Sequence, residues 1–230
     1  MDRRWIVVAA GVVAAALIAW FLIGRSRQGD TVELLGDSIT VVSDQVLRDG
    51  LRDYTLNVQA MSGLRTDQLQ GAAEQAAASH PKQVIINLGT NDVLQGKGLD
   101  QVTASLEKMI TTFSEADCIH VVTLNTHMVT SAGPKEAELQ SANDAIDELI
   151  RGHDNVGKID WNRIVEESDD GTGRETVTVD SIHPNSKGQL LLTKAYADAL
   201  RSCGKPFMAS DQPDSEHAHT TEVTRTGAAR

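Results

Sequence analysis

The stretch LLGDSIT, residues 34–40, joins an apolar run to an amphipathic one through Gly-Asp-Ser. Two local readings are open. In one, Gly36 eases an ordinary strand-to-helix corner and Ser38 caps the helix. In the other, Ser38 is a nucleophile held at the end of a strand. The choice depends on what the rest of the chain brings to the same place.

Outward from that corner, apolar runs and helical patterns alternate through residues 31–203. Strands are expected over 31–36, 54–60, 83–89, 118–126 and 156–161. Helices are expected over 38–49, 66–79, 101–115, 136–151 and 186–202. VIINL and IHVVTL are nearly continuous apolar runs, as strands covered by helices on both faces require. The alternation implies an α/β fold, a three-layer α/β/α sandwich around a five-stranded parallel sheet. Its simplest strand order is the flavodoxin-like 2-1-3-4-5. In such sheets ligands bind beyond the carboxyl ends of the strands, beside the point where strand order reverses. The segments GDS (36–38), MSG (61–63) and GTND (89–92) should therefore line one site.

Those segments carry what acyl transfer needs. Ser38 supplies a hydroxyl, and its own N–H, at a helix start, can face a developing oxyanion. Gly63 offers a second N–H with no Cβ in the way, and the Asn91 amide a third. The base comes from VDSIHPNSKG, residues 179–188. There Asp180 can hold the Nδ1 side of His183 and leave Nε2 for the serine. Pro184 keeps His183 out of helical geometry, and Asn185 or Ser186 caps the helix behind it. Singly, each of these is an ordinary cap or turn. Together they fill every role of one reaction on one sheet edge.

GDSIT, the glycine of SGLRT, GTND and DSIHP resemble, in order, the four blocks of the SGNH hydrolases, also called the GDSL esterase/lipase family. The resemblance covers roughly residues 31–203. It implies Ser38, Asp180 and His183 as catalytic triad and Ser38, Gly63 and Asn91 as oxyanion hole, with no cofactor and no metal. The first block has isoleucine where many members have leucine, which leaves the chemistry untouched. VVTLNTHMV, LQSANDAI and KIDWNRIV resemble, more loosely, the SGNH domains of cell-wall O-acetyltransferases.

Other residues take quieter roles. Asp37 is expected to bond nearby loop amides and Asp92 to organise its own loop. His127 lies on the edge that substrate approaches. Trp161 either walls an acyl or sugar pocket or packs in the core. His80 and His120 are expected at the surface or in packing. Cys118, at a strand start, and Cys203, at the end of the last helix, are placed to meet at the opposite edge. They form either a disulfide, in an oxidising compartment, or two buried thiols.

Bulk properties narrow the function classes. The chain is 40% hydrophobic with a formal net charge of −11 and no basic stripe, which argues against nucleic acid as a partner. Residues 5–24, WIVVAAGVVAAALIAWFLIG, carry no charge and are flanked by Arg3, Arg4, Arg25 and Arg27. As a helix the run would be about 30 Å long, enough to cross a bilayer. It exceeds the apolar core of a signal peptide and lacks a clear cleavage site. Residues 1–28 are therefore expected to anchor a hydrolase domain, 29–204, in the membrane as a single pass, with that domain extracytoplasmic. Residues 205–230 read as a disordered tail, and its His217 and His219 lack further ligands at metal-binding spacing.

The expected function is a membrane-anchored serine esterase acting on an O-acyl ester of a cell-envelope glycan or lipid. The alternative is an O-acyltransferase moving the acyl group to a sugar hydroxyl, which would need a membrane partner as acyl donor. A non-enzymatic binding module on a dead hydrolase scaffold is the third reading, opposed by the complete set of catalytic residue types.

Overall fold

The computed structural model describes residues 30–171 and 176–203. The apolar run 5–24, the tail from 205 with its His217 and His219, and residues 172–175 lie outside the described residues. Among the described residues no helix is long and apolar enough to cross a membrane.

In chain order the elements are β1 (Thr31–Gly36), α1 (Ser38–Gly50), β2 (Thr55–Ala60), α2 (Thr66–Ala77), β3 (Gln83–Asn87) and α3 (Thr90–Leu94). Then come α4 (Leu99–Thr112), β4 (Cys118–Val122), β5 (Val129–Thr130), β6 (Gly133–Pro134) and α5 (Glu136–Arg151). The chain continues through β7 (Val156–Ile159), α6 (Trp161–Glu166) and α7 (Ser186–Ser202). Five strands form one parallel sheet in the order β2-β1-β3-β4-β7, the order expected from the sequence. Every residue of β3 and β4 is buried because helices cover both faces of the sheet. Helix α1 packs against α7, while α2, α4 and α5 pack in succession. Val32, Leu34, Ile85, Ile86, Val121, Leu106 and Leu192 are among the core side chains, all nearly inaccessible to solvent.

Several strands end earlier than their apolar runs suggest, and side chains explain why. The ladder between β4 and β7 runs out at Val122 and Ile159. Beyond it, Asn143 takes over both backbone groups of Leu124, accepting its N–H at 2.7 Å and donating to its carbonyl at 2.8 Å. Asn162 likewise accepts the Thr126 N–H at 2.8 Å. Asp160 accepts the Arg163 N–H and so caps α6, which makes Trp161 the first residue of a helix and not the last of a strand. Trp161 is 1% exposed. Its ring is core packing and does not wall an open pocket.

Cys118 and Cys203 are joined as a disulfide, with Cα atoms 5.7 Å apart. The bond ties the start of β4 to the end of α7, at the edge where the parallel strands begin. His80 is exposed beside Glu115. His120 is buried within β4, and burial pushes its pKa down to about 4, so it is a neutral packing residue at ordinary pH.

Candidate active site

β1 delivers Ser38 to the other edge of the sheet. Gly36 is required there by close approach: a Cβ would lie 2.0 Å from Thr40 Oγ1. The next residue, Asp37, is completely buried. Its Oδ1 accepts the Ile39 N–H at 2.9 Å, capping α1, and its Oδ2 accepts from Asn91 Nδ2 at 3.0 Å. Burial pushes its pKa up to about 6, against the downward pull of the Ile39 amide, the nearby His183 and Asn91. Ser38 therefore opens a helix whose cap is made by its neighbour, leaving its own hydroxyl uncommitted to capping.

That hydroxyl meets a loop from late in the chain. Ser38 Oγ lies 2.8 Å from His183 Nε2, and His183 Nδ1 lies 2.8 Å from Asp180 Oδ2. A carboxylate only accepts hydrogen bonds, so neutral His183 carries its proton on Nδ1 and presents the Nε2 lone pair to the serine O–H. Asp180 Oδ1 also accepts the backbone N–H groups of Ile182 and His183, at 3.1 and 2.7 Å. Burial alone would raise the Asp180 pKa. The bonds from His183 and Ile182 outweigh it and hold the carboxyl below its ordinary range, keeping it anionic.

The loop carrying this pair is closed from behind. Asn185 accepts the N–H groups of Lys187 and Gly188, starting α7, and donates to the carbonyls of Thr176 and Thr178. Between Asp180 and His183, Ser181 adopts φ 64°, a left-handed conformation that costs a non-glycine residue on the order of 1 kcal/mol. Asn125 Nδ2 donates to the Ser181 carbonyl at 2.9 Å, and Ser181 Oγ accepts the Val129 N–H at 3.0 Å.

Gly63 follows β2 with φ 78°, and a Cβ there would meet nothing within 4 Å. The glycine is needed for its conformation, not for space. Its carbonyl accepts from Gln95 Nε2 at 2.7 Å, and Gln95 is in turn held by Arg65 at 2.8 Å. Asp92 Oδ2 accepts both the N–H and the hydroxyl of Thr66. Asp92 thus ties the β3 turn to the start of α2 and does more than organise its own loop. Among the described residues, no acceptor takes the N–H of Ser38 or of Gly63. The Asn91 amide spends one N–H on Asp37 and has a second. His127 is exposed just beyond β4, its N–H bonded to Asn125 Oδ1 at 2.8 Å.

The sequence pointed to Ser38, Gly63, Asn91, Asp180 and His183. It did not signal the clamps around them: Ser181 lies within DSIHP and Asn125 within VVTLNTHMV, but neither stretch marked them for this role, and Gln95 belongs to no motif. Asp37 was expected to bond loop amides; its partners are the Ile39 N–H and the Asn91 side chain.

A family model for the GDSL-like lipases and acylhydrolases matches residues 34–191, well over half of the chain. The chain belongs to the GDSL-like lipase/acylhydrolase family. Its α/β fold is that of SGNH hydrolase structures, and membership makes it an SGNH-type serine hydrolase. A member of the lipolytic G-D-S-L family from Veillonella parvula superposes with a TM-score of 0.65 at 18% identity, covering 75% of this chain and 99% of that one. The catalytic domain of Streptococcus pneumoniae peptidoglycan O-acetyltransferase A gives 0.60 at 19%, covering 76% and 95%. An acetylxylan esterase from Geobacillus stearothermophilus gives 0.59 at 18%, covering 78% and 96%. No curated protein matches significantly.

Proposed function

We propose that the protein is a serine esterase that removes an O-acyl group through Ser38, His183 and Asp180. The observation that carries this reading is the unbroken line from the Ser38 hydroxyl through both ring nitrogens of His183 to the Asp180 carboxylate. Ser38 Oγ attacks the ester carbonyl carbon as its proton passes to His183 Nε2. Negative charge gathers on the carbonyl oxygen, within reach of the Ser38 and Gly63 amides and the Asn91 side chain. The intermediate collapses, and the leaving alcohol takes the proton from His183. Water then attacks the acyl-serine, giving its proton to Nε2, which returns it to Ser38 as the carboxylic acid leaves. Asp180 stays anionic throughout and steadies the imidazolium.

The substrate proposed is an acyl ester on a cell-envelope glycan or lipid, with residues 5–24 holding the enzyme to a bilayer and the domain outside the cytoplasm. The uncharged run 5–24 supports the anchor, and the disulfide supports an oxidising compartment. The likeness to a peptidoglycan O-acetyltransferase domain favours a second reading, in which a sugar hydroxyl replaces water as acceptor and a membrane partner supplies the acyl group.

Hydrolysis of p-nitrophenyl acetate by the full chain, lost in Ser38→Ala, is the expected result. Equal rates for the two would eliminate Ser38 as nucleophile. Adding glycan oligosaccharides separates the two readings, because acylated glycan as the main product selects transfer over hydrolysis. Protease accessibility of the domain in intact and broken cells tests the topology.

A further inference from the structure

We infer that Asn125 is a positioning residue for the acid–base pair, holding Ser181 in the conformation that lets Asp180 reach His183. The inference rests on the esterase reading above. Asp180 and His183 are three residues apart, and the Asp180 carboxylate accepts the Ile182 N–H, the His183 N–H and the His183 ring together. So tight a turn passes through Ser181, whose φ of 64° is one a serine rarely adopts unaided. Something outside the loop has to hold it.

The segment after β4 does so from two sides. Asn125 is completely buried, and both ends of its side-chain amide are committed. Nδ2 donates to the Ser181 carbonyl at 2.9 Å, and Oδ1 accepts the His127 N–H at 2.8 Å. The second bond fixes the amide's orientation, so the donor end must point at the triad loop. Val129, two residues beyond His127, donates its N–H to Ser181 Oγ at 3.0 Å. Asn125 itself stands where the sheet ladder has ended, and Asn143 and Asn162 hold its neighbours Leu124 and Thr126. The rigid end of β4 is thereby coupled, through one amide, to the strained residue between acid and base. The Asn125 side chain bonds to Ser181 and His127 and not to Ser38, Asp180 or His183; it acts through Ser181.

The test uses the full chain and p-nitrophenyl acetate. Asn125→Asp is nearly isosteric and keeps the acceptor for the His127 amide while losing the donor to Ser181. It should lower kcat by about 10²-fold, the scale of a small misplacement of catalytic groups, with KM unchanged. Asn125→Ala should do the same. Glycine adopts positive φ freely, so adding Ser181→Gly to either variant should recover much of the lost kcat, and Ser181→Gly alone, which gives up the Val129 bond, should cost less than Asn125→Asp. A role limited to stabilising the end of β4 predicts no such rescue. Wild-type kcat in Asn125→Asp, or the same loss with glycine at 181, overturns the inference. If Asn125→Ala does not fold, Asn125→Asp carries the test. Failure of the esterase reading itself looks different: the wild-type enzyme would then show no hydrolysis dependent on Ser38.

Discussion

His183 Nε2 stands 2.8 Å from Ser38 Oγ although 145 residues separate them in the chain. Nothing local produces that contact. It arises because β1 and the loop before α7 both end at the same edge of a parallel sheet, one carrying the hydroxyl outward and the other folding the imidazole back over it.

Removing the imidazole should therefore remove the base. His183→Ala should reduce kcat for p-nitrophenyl acetate by several orders of magnitude, and Asp180→Asn by roughly 10⁴, the scale seen when the acid of a serine triad is lost. Steady-state kinetics with parallel unfolding curves checks both. A loss of only a few-fold in His183→Ala would assign the base elsewhere.

Asn91 donates to Asp37 and retains a second amide proton, the one the proposed mechanism directs at the oxyanion. Asn91→Ala should cost about 10²–10³ in kcat, as for a single lost oxyanion donor, with a smaller change in KM. If KM rises while kcat holds, Asn91 binds ground state and transition state alike.

Asp37 makes stability depend on pH in an unusual direction. Its folded pKa, about 6, lies above the ordinary carboxylate value of about 3.9. Between those values the folded protein binds this proton more tightly than the unfolded chain does. The contribution of Asp37 to stability therefore falls as pH rises through this window and is level above it. The full change is on the order of 3 kcal/mol. Urea unfolding of wild type and Asp37→Asn at intervals from pH 4 to 7 reads this directly. The wild type should lose ground to the variant as pH rises to about 6, and a constant difference across the range would contradict the buried carboxyl.

The disulfide spans 85 residues, so its removal frees a long loop in the unfolded chain. Replacing both Cys118 and Cys203 by alanine should lower stability by about 4.5 kcal/mol in the chain-entropy treatment, with kcat little changed because the bond lies at the edge remote from Ser38. Thiol titration of denatured, unreduced protein should find no free cysteine; two titratable thiols would show the bond unformed.

The sheet was legible because its signals are short-range. VIINL and IHVV, short and rich in β-branched residues, read as buried strands, and five strand runs separated by helical patterns leave few arrangements. The candidate nucleophile, acid and base were legible because Gly-Asp-Ser falls at the end of the first of those runs and Asp-x-x-His in the loop before the last helix. Element ends were harder. Residues 123–126, Thr-Leu-Asn-Thr, prolong the run with two β-branched threonines and so read as strand, but Asn143 and Asn162, from later elements, take the backbone bonds of Leu124 and Thr126. Trp161 read as a strand end with two roles open because the Asp160 cap that turns it into a helix start depends on local backbone geometry. The hairpin β5–β6 is two residues a side, too short to carry a period. The meeting of Asp37 with Asn91, and of Asn125 with Ser181, joins loops from different strands, and only the packed fold reveals such pairs.

The described body begins at Asp30, just before β1, and its last residue, Cys203, is bonded to the first residue of β4. Both ends therefore emerge from the pole where strands start, and Ser38 occupies the other pole, a strand length of about 20 Å away. A leash fixed at either end would leave the Ser38 hydroxyl facing outward from whatever surface held it. The folded body would act as a stand-off, presenting Ser38 to esters that arrive from the far side, so that an overlying glycan reaches it directly and a lipid ester in the same bilayer only when the body tips over on its leash.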